Sequence, residues 1–225
     1  MTLNISLLLN FLLLLYIVYF FNSIINEYRP LVVVLGLGIF TNVVQIVLWS
    51  YEGISFWIYN VIFIAYTILA FSTLLYFFKN KFRDSLLNGL FYGGIAAILT
   101  SVLIRDFYFD LIHDSSRSTP TPLIGTIFIV AACLRVIFIF LKRVDDVMLY
   151  RKLDFWLVLI IMFYFVVQFV YLGYFNFFYA GLLNSSILFD VFQYVHHLYY
   201  VSVSLLLVIY ASMKRKKRIN PLLQL

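Results

Sequence analysis

Apolar residues in this chain fall into seven runs, at about 3–22, 31–50, 55–78, 86–104, 123–141, 154–175 and 186–212, separated by short polar or charged connections. Each run is near the ~20 residues that an α-helix needs to cross the hydrocarbon core of a bilayer. The pattern predicts an all-α, polytopic membrane protein: one domain over residues 1–225, a bundle of seven transmembrane helices, with 213–225 as a basic tail. The first run has no basic segment before it and no small-residue cleavage site after it, so it is expected to be a retained helix and not a signal peptide.

The basic residues give the bundle a direction. One set of connections carries Arg29; Lys79, Lys81 and Arg83; Lys142, Arg143, Arg151 and Lys152; and Lys214, Arg215, Lys216, Lys217 and Arg218. The opposite set carries only Arg105 and Arg117. Cationic loops stay on the cytoplasmic side, so the amino terminus is expected outside and the carboxy terminus in the cytoplasm. Composition agrees: 64% of the residues are hydrophobic, 12% are charged and mean hydropathy is +1.02, values outside soluble usage. The net charge of +6 lies in these loop clusters, so it marks topology and a lipid bilayer partner; no nucleic-acid surface is expected. Cys133 is the only cysteine, which excludes an intramolecular disulfide and a cysteine metal site.

Polar residues inside the runs are the candidate chemistry, because a polar group at membrane depth is costly unless it is paired or meets water. The seventh run is the richest. Asp190, Gln193 and His197 stand at i, i+3 and i+7, and Tyr200 and Ser204 continue that face. At about 1.5 Å per residue, Gln168, Gln45, Asn60 and Tyr66 fall near the same levels, with Asn42 slightly deeper than Gln45. These residues predict a polar, ligand-binding pocket opening away from the basic side. Arg135 is the one fixed charge well inside a run, roughly 18 Å from the outer boundary. It either supplies a floor for an anion or extends its stem to the cytoplasmic headgroups.

Two further patterns are weaker. The connection 105–122 gathers Asp106, Asp110, His113 and Asp114, which on a helix would offer a divalent cation three carboxylates and an imidazole; an interfacial turn with its acids in water is the reading the pattern favours. The fourth run repeats Ser85, Gly89, Gly93, Ala97 and Ser101 every four residues, a stripe for close helix packing, either within the bundle or between two copies in a homodimer.

Catalytic signatures are not evident. The seventh run has no lysine for a retinal Schiff base, three histidines are too few for a multi-histidine di-iron site, and no nucleophile elbow, zinc-protease or phosphate-loop motif occurs. No catalytic residue and no cofactor is assigned. The third run ends in Lys79, Asn80, Lys81, Phe82 and Arg83, and the seventh has no Asn-Pro pair, so similarity to G-protein-coupled receptors stops at helix count and sense.

Tyr59-Asn60, Tyr66-Thr67 with Tyr76-Phe77-Phe78, Phe155-Trp156 and the polar stretch Gln193 to His197 resemble seven-helix integral membrane proteins of Bacteroidota. That resemblance implies a bacterial inner (cytoplasmic) membrane and no particular activity. The family carries a glutamate shortly after its Tyr-Thr pair, where this chain has Ala70, so no third-helix carboxylate carries over. Three functions fit: a sensor or receptor-like subunit working through a membrane or cytoplasmic partner, a small-solute or ion transporter, and a scaffold whose polar network only fixes packing.

Overall fold

The computed structural model describes residues 8, 11, 12, 15, 18, 19, 26–50, 56–104, 121–142, 152–178 and 186–219. A 3-10 turn at Asn26–Tyr28 leads into α1 (Arg29–Ser50). Then follow α2 (Phe56–Phe82), α3 (Ser85–Ser101), α4 (Thr121–Lys142), α5 (Leu153–Phe178) and α6 (Ser186–Ile219). The described residues contain no strand, as an apolar medium requires: a helix satisfies its backbone groups within one segment. Among the described residues four stretches, Val61–Phe82, Ser85–Ile104, Thr121–Lys142 and Leu153–Leu172, are long and apolar enough to cross a membrane. The described residues of the first run, Leu8, Phe11, Leu12, Leu15, Val18 and Tyr19, are helical and exposed.

The helices begin and end close to the apolar runs, with one clear difference. α6 continues through Lys214 to Arg218 and ends at Ile219, so the basic segment expected as a tail is helical. Lysine and arginine are good helix formers, and cations at a carboxy-terminal end complement the helix dipole. Between α2 and α3 the chain reverses in two residues. Arg83 takes φ 48°, and its N–H returns to the carbonyl of Lys79 at 3.1 Å. Asp84 then caps α3 by accepting from the N–H groups of Leu86 and Leu87. So short a link makes α2 and α3 antiparallel neighbours.

Successive helices pack on one another, and α2 packs on α1, α3 and α4. Its Phe71, Leu74, Leu75, Phe77 and Phe78 are buried against Ile129, Cys133 and Val136 of α4, Leu157 and Ile161 of α5, and Tyr200, Val203 and Leu207 of α6 in one core. The outward faces are also apolar: Phe40, Leu69, Leu103, Leu134, Phe163, Val170, Leu198 and Leu205 are all exposed, as lipid-facing residues are. Lipid is as apolar as these side chains, so close packing has to hold the bundle, and small residues permit it. A Cβ added to Gly125 would stand 2.7 Å from the ring of Phe71, and one added to Gly94 would stand 2.7 Å from Leu75 and 3.2 Å from Phe128. Gly94 lies one position off the four-residue stripe. On the stripe itself, a Cβ at Gly89 meets open space and one at Gly93 only touches Phe128 at 3.7 Å, while Ser101 is buried and accepts from the Thr121 hydroxyl at 2.9 Å.

Candidate functional site

Tyr66 of α2, Tyr164 of α5 and His196, Tyr199 and Tyr200 of α6 meet inside the bundle, joined by two hydrogen bonds and a set of ring contacts. Tyr164 lies about 11 residues from the start of α5 at the basic end, or roughly 16 Å in, and Tyr66 is about 24 Å from the end of α2. The hydroxyl of Tyr164 is 2.7 Å from Nδ1 of His196, and those of Tyr66 and Tyr200 are 3.3 Å apart. In each pair either group can donate, according to the imidazole tautomer or the hydroxyl rotor. The rings enclose these polar atoms: Tyr164 stacks on Tyr199 at 4.1 Å, and His196 meets the Tyr200 edge at 4.7 Å.

Gly38 of α1 completes the enclosure. A Cβ there would stand 1.8 Å from the Tyr200 hydroxyl, so the backbone of α1 comes against that oxygen. Only a residue without a side chain allows this approach. Thr67 and Thr41 are buried nearby in sequence and return their hydroxyls to the carbonyls of Phe63 and Leu37 on their own helices, each at 2.8 Å. One turn beyond Tyr164 on the same face of α5, Oε1 of Gln168 is buried and accepts no hydrogen bond. The described cluster therefore offers neutral donors and acceptors, with one amide oxygen unmet on the side away from the basic loops.

The basic end is built differently. Lys81 donates to Glu27 at 2.6 Å and to the Tyr28 hydroxyl at 2.9 Å, and lies 3.5 Å from Asp154. Tyr28 in turn donates to Asp154, and its ring packs 4.7 Å from that of Tyr210 on α6. Burial, and then the Asp154 carboxylate, push the Tyr28 phenol above its ordinary range, so it stays a proton donor. Four segments are joined there: the 3-10 turn, α2, α5 and α6.

Arg135 reaches the same end. Its Nε and Nη2 donate to the two carboxylate oxygens of Asp84, at 3.0 and 2.8 Å. This bidentate pair, with the capping N–H groups, holds the Asp84 carboxyl below its usual range. The extended stem is the snorkelling geometry, with a capping carboxylate as the receiver.

Of the residues named from sequence, the structure brings Tyr66 and Tyr200 into contact and sets Gln168 one turn from their neighbour Tyr164. His197 is partly buried, with its ring 6.1 Å from that of His196. Asp190, Gln193, Gln45 and Asn60 lie on helices, but their side chains are outside what is described. Asp106, Asp110, His113 and Asp114 lie outside the described residues altogether, and among those described no group of metal-ligating residues occurs. Sequence reasoning missed Tyr164 and Tyr199 and left His196, one of the polar residues of the seventh run, off its candidate face. On α6 Tyr199, Tyr200, Val203, Ser204 and Leu207 are buried and His196 is partly buried, so the aromatic and apolar residues that no polar pattern singles out share the interior with Tyr200 and Ser204. No protein-family model, curated protein or solved structure matches the chain.

Proposed function

We propose that the protein is a sensor or receptor-like subunit of a bacterial inner membrane: seven transmembrane helices, amino terminus outside, and a pocket opening to the outer side above the tyrosine and histidine cluster. The observation that carries this reading is the buried, unmet oxygen of Gln168, one turn beyond the Tyr164–His196 pair. A buried polar atom without a partner is costly, and a small hydrogen-bonding ligand or water entering from the outer side would relieve it. Asp190, Gln193, His197, Asn60 and Gln45 are the residues of the sequence pattern that would complete such a pocket.

Below the cluster, Leu74, Phe77, Phe78 and Leu207 are buried and the ion network closes the basic end, which favours a receptor over a transporter with a through path. The buried stripe of α6 runs from Tyr200 through Val203 and Leu207 to Tyr210, which packs on Tyr28. A change at the pocket would thus reach the face presented to a membrane or cytoplasmic partner. The exposed Ser85, Gly89 and Gly93 of α3 are the face on which a second copy would pack.

Cysteine accessibility tests this. Cys133 is fully buried, so a Cys133→Ala background leaves no competing thiol. In that background Gln168→Cys and Gln193→Cys should react with a membrane-impermeant thiol reagent from the side opposite the basic loops, while Val203→Cys and Leu207→Cys should not react from either side. Reaction of the last two from the basic side would favour a transporter. Silence at all four positions would leave only a scaffold.

A further inference from the structure

A concavity lies on the outside of the bundle, away from the cluster, in the cleft over α2 between α1 and α3. It is a groove of about 510 Å³. Val33, Leu69, Phe91 and Ile95 form its walls, Ser72 and Thr73 its floor, and Asn26 and Arg29 its basic end. We propose that this groove binds an anionic phospholipid of the leaflet on the basic side, with one acyl chain along the walls and the phosphate at Arg29.

Length, polarity and charge each support this occupant. Phe91 lies about 9 Å from the basic end of its helix, Ile95 about 15 Å and Leu69 about 20 Å, so the groove runs from the interface to near the bilayer midplane. That is the reach of one acyl chain in a hydrocarbon core ~30 Å thick. A neutral alkyl chain fits the walls. Among the described residues the cations stand at the mouth: Arg29 lines it, and Lys79 lies 4.4 Å over the ring of Phe91 while donating to Tyr92 at 3.0 Å. No carboxylate among the described residues lines the groove, and the adjacent Glu27 is paired with Lys81 at 2.6 Å. Guanidinium presents its donors in a fork that matches two phosphate oxygens. Asn26 adds an amide at the same level, and Ser72 and Thr73 can receive an ester carbonyl below it.

The test compares lipids that differ only in headgroup. The full chain is purified in mild detergent, exposed to equal amounts of phosphatidylglycerol and phosphatidylcholine with identical acyl chains, and analysed by native mass spectrometry for retained lipid. Wild type should retain the anionic lipid by about fivefold, the ratio expected of one basic residue near the headgroups. Arg29→Gln should abolish that preference, and Ser72→Trp or Thr73→Trp, either of which fills the floor, should lower retention of both lipids. Thermal unfolding in detergent alone identifies any variant that fails to fold, and two floor variants are used so that one survives. Equal retention of the two lipids by wild type, or a preference that outlasts all three substitutions, overturns the proposal. So does a disulfide between Ser72→Cys and Leu15→Cys formed with no lipid retained, which would assign the groove to the first apolar run.

Discussion

Asp84 shows how much one residue carries at the edge of this bundle. It caps α3, receives both guanidinium bonds of Arg135, and follows the left-handed Arg83 in the two-residue reversal. Asp84→Asn keeps a good cap but removes the charge, whereas Asp84→Ala removes both, so unfolding in detergent should find the alanine variant less stable by about 1 kcal/mol. The pH dependence has a definite sign. The folded carboxyl titrates below the ordinary value of 3.8, so the pair's contribution is complete above that pH and fades as pH falls through the depressed folded value. Wild type should lose stability more steeply than Asp84→Asn below about pH 4 and run parallel to it between about pH 5 and 7. A constant difference across both ranges would show that Asp84 acts as a cap alone.

At the scale of helices, the apolar runs were legible because bilayer thickness fixes span length: the third to sixth runs agree with α2 to α5 within a few residues. The contacts between helices were less so. Lys81 reads from sequence as a topology marker, yet it holds Glu27 and lies 3.5 Å from Asp154, residues 54 and 73 positions away, and no local pattern encodes that pairing. Small residues mislead for a similar reason. The stripe through Gly89 and Gly93 has the spacing of a packing face, but Gly94 and Gly125 make the close approaches, because helix rotation is set by what the neighbours fill. Gly125→Ala would push a methyl into the Phe71 ring and should cost about 1–3 kcal/mol. Gly89→Ala meets open space and should leave monomer stability unchanged or slightly raised, as an exposed helical glycine replaced by alanine does. Melting curves of the two variants side by side decide it, and comparable losses would mean that the Gly89 face is covered by another chain.

For the molecule as a whole, the question is whether the cluster and the basic-end network belong to one cooperative device or to two independent fastenings. They share α6, whose buried stripe holds Tyr200 at one level and sets Tyr210 against Tyr28 about 15 Å further on. Tyr28→Phe deletes a hydroxyl that donates to Asp154 and accepts from Lys81; Tyr200→Phe deletes one paired with Tyr66. Each alone should cost roughly 1 kcal/mol, the usual net worth of such a bond. Sites this far apart add within ~0.5 kcal/mol when nothing links them. A receptor has two arrangements of α6 that both sites bias, so the double variant should depart from the sum by more than that, and a packed scaffold should not. Unfolding free energies of the four proteins in one detergent close the cycle. Simple additivity would turn the reading from receptor to scaffold, even if Gln168→Cys and Gln193→Cys react with the thiol reagent.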